Sequence, residues 1–481
     1  MHWIDLSVFI IYMLVVLGVG YYFLLKNKNE EDYYVGGRNM GSFHVGLSVV
    51  ATDVGGGFSI GLGGLGFIMG LSGSWMLFTG LIGAWMTAVL LIPKVSRLAK
   101  KQKFLTFPQI FKHFYGPGVA LLAGIISAIG YIGFTSSQLL AGAKLATASF
   151  VELDINTALI IMGVIAVIYT VMGGIKAVIY TDTFQWIILL CGLILIGIPV
   201  SYFAVGGSEV IFDTIKKDFL RLDNVAWQTI VNWAVTIIPI WFVGMTLYQR
   251  IYATRNEKEA RKAWFIAGFF EWPVMAFMGV ILGLIARVAF EIDMFNYLGY
   301  AAGTDIDPEM GLPLLLRTVL PIGLMGLMMA AYFSAIMSTA DSCLMAASGN
   351  VITDILKINT KKKIKHKKQL RISQIITLII GILAIILAST MENVLELMLY
   401  SYAFMVSGLF IPVLGAFFWK KSSATAAFSA MLAGGLTTLF LNIIDINLPF
   451  NLDPNIFGIS TSFVVFVSFS YLFPSQKMHQ A

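Results

Sequence analysis

The chain has 481 residues, 58% of them hydrophobic and only 12% charged, with a mean hydropathy of +0.84. A soluble domain carries about 25% charged residues, so half that share excludes an ordinary aqueous surface. The net charge of +6 and pI near 9.0 do not point to nucleic acid, because the basic residues sit in short loops between apolar runs, where they report membrane topology.

Each apolar run is close to the ~20 residues that cross a bilayer as a helix. The runs are continuous rather than alternating, which excludes barrel strands. The first, 4–25, lacks a basic n-region and a small-residue cleavage site and is expected to be a retained helix, not a signal peptide. The second, 41–69, holds eight glycines between Gly46 and Gly66, including Gly55, Gly56 and Gly57 in a row. Glycine opens backbone conformations that a helix excludes, so this span is expected to unwind at mid-membrane. Small residues also line helix contacts in membranes, but eight in 21 residues exceed that need. Ordinary spans follow at 72–93, 117–150, 155–173 and 180–204. The seventh, 226–249, is interrupted by Pro239 and Gly244, and the remaining six are 263–288, 312–353, 371–390, 394–418, 422–443 and 457–473. The two cysteines, Cys191 and Cys343, lie inside apolar runs and are expected to pack rather than form a disulfide.

The fold class is therefore an all-α integral membrane protein of thirteen transmembrane helices. Placing the amino terminus outside puts 26 of the 32 basic residues in inside segments, while the outside loops hold Glu291, Asp293, Asp305, Asp307 and Glu309. That alternation predicts an outside amino terminus and a cytoplasmic carboxyl terminus in the cell membrane. The basic run Lys361–Lys368 is a candidate for lipid contact or regulation, with a topology-fixing loop as the plainer role. Spans two and seven begin on opposite sides, each is interrupted, and each opens a group of five. Two inverted halves, with a binding site at the two breaks, are the expected arrangement. The chain then divides into an extra helix (4–25), a first repeat (41–204), a second repeat (226–418) and two extra helices (422–473).

Ionisable residues at membrane depth cost about 2.5–3.5 kcal/mol each on insertion scales and need a partner or a role. Asp53 lies against the glycine run, Asp341 lies within span nine, and Asp182 opens span six, where a helix cap is the alternative. Lys144, near the end of span four, is expected to snorkel outward. Glu271, beside Trp272 and Pro273 in span eight, is either structural or functional. On span nine Ala335, Ser338, Thr339 and Ser342 are spaced to share one face. Hydroxyls there suit a dehydrated Na⁺, which prefers oxygen ligands, although such hydroxyls often bond their own backbone.

Three stretches, VGGRNMG…ATDVGGG (Val35 to Gly57), YTVMGGIKAVIYTDTFQ (Tyr169 to Gln185) and AAYFSAIMSTADSCLMAASGN (Ala330 to Asn350), resemble the sodium:solute symporter family, as does YQRIYATRNEKEARKA from Tyr248. The resemblance spans nearly the whole chain. It implies a LeuT-type five-plus-five inverted repeat, with one extra helix before it and two after. It also implies a sodium site made by the carbonyls of Ala51 and Val54, the carbonyl of Ala335 and the hydroxyls of Ser338 and Thr339. Asp53 is implied in ion coupling. A second sodium site, present in some members, would use Asp182, Ser338 and Ser342, with Asp341 where such a member has a serine. Candidate substrate contacts, placed by position, are Phe58, Ser59, Gln138, Trp241, Phe242, Tyr400 and Tyr402.

The expected activity is sodium-coupled import of a small solute by alternating access, with sodium, substrate and membrane lipid as partners. ATDVGGG resembles proline-type members, which favours an amino acid. Choline, a sugar, a carboxylate, and proton coupling through Asp53 or Asp341 are the alternatives. An enzyme is not expected, since His2, His44, His113, His366 and His479 lie in or near loops without ligand spacing. A channel would dissipate a gradient without accumulating solute.

Overall fold

A computed structural model describes residues 2–26, 35–53, 55–150, 153–172, 175–356, 366–444, 446 and 448–474. The long helices are α1 (Trp3–Lys26), α2 (Ser42–Asp53), α3 (Gly55–Met69), α4 (Trp75–Leu90), α5 (Pro117–Ser149), α6 (Ile155–Met172), α7 (Ile175–Gly192), α8 (Trp227–Val243), α9 (Met245–Ala253), α10 (Glu257–Phe269), α11 (Ala276–Glu291), α12 (Leu324–Asn350), α13 (His366–Ala388), α14 (Val394–Phe418), α15 (Ala424–Ile444) and α16 (Pro454–Leu472). Among the described residues nine helices are long and apolar enough to cross a membrane, or ten when the bent pair α8–α9 counts as one span.

A bilayer explains the inside-out exposure. Helix α13 turns Ile375, Leu378, Ile379, Ile382 and Ile386 outward along one stripe, an apolar surface that water would not tolerate on a monomer. Helix α12 is the opposite case: it lies at the centre and packs against α1, α3, α5, α7 and α13, with nearly all of its residues buried. The core it anchors is one large apolar cluster running through both halves of the chain.

Both expected breaks exist, with differences in detail. Gly55 opens α3 at φ +58°, a left-handed angle that excludes most side chains. A Cβ added there would also lie 3.0 Å from Thr339 Oγ1. The other glycines of the span divide between roles. Gly63 and Gly66 let the backbone of α3 approach Gly283 and Val280 of α11, so packing accounts for part of the glycine run. In the seventh span Pro239 sits inside an unbroken α8, and the chain bends by 43° at Gly244 instead. The two broken spans are tied at one end by backbone bonds, Met40 N to Ala253 O at 2.9 Å and Arg255 N to Met40 O at 3.2 Å. Span nine is also not one helix. A short helix, Gly311–Val319, precedes α12, and Gly323 at φ +88° turns the chain between them. Most of the basic run Lys361–Lys368 lies outside the described residues, and the side chains of the rest are not described.

Candidate ion and substrate site

Helix α2 ends at Asp53, leaving its last carbonyls without helical partners, which is the negative pole of the helix. Helix α12 faces that end with its polar strip. The Thr339 hydroxyl lies 3.1 Å from the Ala51 carbonyl and 3.1 Å from the Ala335 carbonyl. Three of the five expected sodium ligands thus converge across the break: one hydroxyl and two main-chain oxygens. Val54 lies outside the described residues. The fifth, Ser338, turns its hydroxyl to the Asp182 carboxylate. Gln138 of α5 completes the surround, its Oε1 near Gly55.

Behind this strip lies a second cluster. Asp182 sits two turns inside α7 rather than at its start, so it is not a cap. It accepts from Ser48 Oγ at 2.5 Å, from Ser338, and from Arg250 Nη2 at 3.3 Å. Arg250, on α9 just past the second break, is fully buried, with no exposed side-chain surface. Its fork also donates to the Ser48 carbonyl at 3.2 Å, Thr246 O at 3.2 Å, Thr52 Oγ1 at 2.5 Å and Ser342 Oγ at 3.2 Å. The residues implied for a second sodium site are therefore gathered, but around a guanidinium. A planar fork of five donors can hold four helices in register this way. Arg250, one of the 26 basic residues assigned to inside segments, is therefore a core residue and not a loop cation. Asp341 is buried and turns toward Thr170 of α6, whose own hydroxyl is bonded to Ala166 O at 2.8 Å.

At the other end of the bundle Lys144 does not snorkel. It is buried and pairs with Asp307 at 2.5 Å and Glu309 at 2.6 Å. Glu309 in turn accepts from the amides of Val394 and Leu395 at 2.8 and 3.0 Å, the donor-rich start of α14. Two acids expected in an outside loop are thus structural anchors. Cavities of about 580 and 730 Å³ open beside this cluster.

The substrate candidates scatter. Tyr402 reaches the break, donating to the Asp53 carbonyl at 3.3 Å and packing edge-on against Phe134. Trp241 is wholly buried against Gly83 of α4 and Trp264. Ser59 is bonded to Tyr332 Oη at 2.6 Å, which makes it a contact between α3 and α12. Phe242 packs on Phe410. Tyr400 is 45% exposed, bonds Glu396 at 2.6 Å and lines the 580 Å³ cavity, away from the break. The side chain of Phe58 is outside what the structure describes.

Broken helices, a carbonyl-and-hydroxyl cluster and a buried ionic core define a class: secondary transporters that bind cations on unwound backbone. The sequence profile of the sodium:solute symporter family matches residues 33–434, and the chain belongs to that family. It is 28% identical over 433 residues to the high-affinity proline transporter PutP of Bacillus subtilis, covering 88% of this chain and 89% of that protein. The sodium/proline symporter of Escherichia coli is 27% identical, covering 90% and 87%. The sodium/myo-inositol cotransporter 2 of Sus scrofa is 28% identical, covering 92% and 70%. Among solved structures, a Na⁺-coupled sialic acid symporter superimposes with a TM-score of 0.81 at 23% identity, covering 98% of this chain and 99% of that one. A nucleobase-cation-symport-1 transporter gives 0.57 at 13% identity, covering 92% and 94%. These two likenesses establish the fold. The chain is a sodium-coupled membrane transporter and not an enzyme.

Proposed function

We propose that the chain imports an amino acid, with proline the best-supported solute, on an inward sodium gradient. The observation that carries this is the Thr339 hydroxyl set between the carbonyls of Ala51, at the end of α2, and Ala335, on α12. An ion held there by Ala51, Val54, Ala335, Ser338 and Thr339 links a helix of the first repeat to one of the second. Sodium then stabilises the conformer in which α3 and α12 are together, and substrate binds that conformer better than the alternative. Asp53 lies next to the ion and supplies charge. Asp182, Ser342 and Asp341 act behind it, with Arg250 in the place a second sodium would take, so one sodium per cycle is the favoured stoichiometry. Gln138, Trp241 and Tyr402 are the proposed substrate contacts near the break, and the relatives named for proline support its identity.

The architecture that serves this is thirteen spans in two inverted sets of five, with α1 before them and α15 and α16 after. Taking α8–α9 as one span, dividing Ser59–Leu90 at Gly70 (φ +67°) and admitting the shorter apolar helices Trp3–Val19 and Ile155–Ile168 yields that number. The division is reasonable because 32 helical residues would run ~48 Å, well beyond a ~30 Å hydrocarbon core. The amino terminus is placed outside, the carboxyl terminus in the cytoplasm, and lipid against the α13 stripe. A potential of ~150 mV with a tenfold sodium gradient sustains roughly a few-thousand-fold accumulation per sodium.

Reconstitution in proteoliposomes tests this. Labelled proline is expected to accumulate only with an inward sodium gradient and to be insensitive to a protonophore. Accumulation that survives sodium removal and collapses with the protonophore would mean proton coupling instead.

A further inference from the structure

Glu271 is a buried acid that the sodium site does not use. It lies in a π-helical turn, Phe270–Met275, between α10 and α11, where Trp272 leaves helical angles (φ −137°, ψ 124°). Such turns recur at functional sites. Its side chain has no exposed surface, and neither carboxylate oxygen meets a hydrogen-bond donor among the described residues. Its polar neighbour is another acceptor, the Asp53 carboxylate, within hydrogen-bonding reach. The Glu271 carboxylate so placed needs a donor or a cation beside it, since it is otherwise desolvated without compensation. The space is shaped for the acid: Gly80 of α4 lies directly against Glu271, so a methyl group at Gly80 would collide with it. One turn along the same face, Gly83 seats Trp241, whose Nε1 is a buried donor without an acceptor among the described residues. The residue with unsatisfied acceptors and the residue with an unsatisfied donor thus pack against neighbouring positions, Gly80 and Gly83, on one face of α4.

We propose that Asp53 and Glu271 together receive the ammonium group of the transported solute, and that Glu271 selects solutes with a protonated amine. An ammonium with two N–H bonds, such as that of a cyclic secondary amine, can serve both acids at once. The Trp241 indole N–H then faces the carboxylate end of the zwitterion. A neutral polyol gives these acids no positive charge, and a quaternary nitrogen gives them no N–H. This inference rests on the symport reading above and names the residue that sets its specificity. It also gives sodium and substrate adjoining charges to share, because Asp53 ends the helix whose Ala51 carbonyl belongs to the ion site.

The test uses the full-length purified protein in saturating sodium, with binding of L-proline, tetrahydrofuran-2-carboxylate (ring oxygen for N–H) and N,N-dimethylproline measured by calorimetry. Sodium affinity is read separately from intrinsic fluorescence without solute. The wild type is expected to prefer proline over both analogues by at least about 100-fold, as a site built around unsatisfied acceptors should. Glu271→Gln should collapse that preference to within about fivefold and leave sodium affinity unchanged, while Glu271→Asp restores part of it. If Glu271→Gln does not fold, Gly80→Ala, which keeps the charge but displaces the carboxylate, should lower the preference at least tenfold. Unaltered preference in the variant that folds overturns the proposal. So does a shift in sodium affinity or stoichiometry with preference intact, which would make the pair a second ion site. Sodium-dependent binding of myo-inositol but of no amine would refute the amine site and leave symport standing. Absence of sodium-dependent binding of any of these would refute the proline reading and the amine site together.

Discussion

The two broken helices are built alike and used oppositely. The first, between α2 and α3, ends in an acid and in carbonyls outside the helical ladder, faces a hydroxyl strip, and has another acid, Glu271, set against it with no donor in reach among the described residues. The second, between α8 and α9, places a guanidinium just past its bend, and that charge is consumed at once by Asp182, Ser48, Thr52, Thr246 and Ser342. The first break is therefore left electrically unfinished and the second is closed. A transporter needs both kinds: an open end where a cation can arrive, and a satisfied one that fixes the scaffold around it. Buried polar networks that are fully paired rigidify, whereas incompletely paired ones mark where something else belongs.

Removing charge from the closed break should have the largest effect. Arg250→Met strands the buried Asp182 carboxylate and should cost about 3–5 kcal/mol, the range for breaking a buried pair. The expected result is a sharp loss of thermal stability in detergent, with Arg250→Met/Asp182→Asn less damaged than the single change. Equal damage in both would mean that the pair is not coupled. At the opposite end, Lys144→Met should cost less, about 1–3 kcal/mol, because Glu309 keeps its two amide donors from α14. A melting curve would show it, and an effect as large as that of Arg250 would contradict this ranking. Tyr400→Phe removes a half-exposed bond to Glu396 remote from either break. It should change stability by under about 1 kcal/mol and leave sodium dependence of uptake unchanged; a large transport defect would return Tyr400 to the substrate path.

What the sequence disclosed, and what it hid, follow the same physics. Spans, breaks and the hydroxyl strip were legible because the bilayer forces each into local pattern: apolar length, glycine density, and i, i+3, i+4 spacing. Gly55 could be read this way, and so could Ser338 and Thr339. Pairing across the bundle could not. Arg250 follows apolar sequence and precedes a basic loop, so by position it looks like a topology signal; only its contact with Asp182, 68 residues earlier, reveals a core residue. Lys144 and Glu309 are 165 residues apart, and neither carries a local mark of the other. Pro239 misled because a proline suggests a break, but α8 runs through it and bends at Gly244. Glu271 was visible as an intramembrane acid, yet its orientation toward Asp53 depends on the turn at 270–275.

The account stands or falls on where sodium binds. Sodium affinity of Thr339→Ala, measured by the sodium dependence of proline uptake in proteoliposomes, tests that directly. The variant loses one ligand of about five without emptying a buried charge, and so should fold normally and need at least about tenfold more sodium for half-maximal uptake, equivalent to ~1.4 kcal/mol. An unchanged sodium requirement in a folded, transporting variant would contradict the assignment of the ion to the first break.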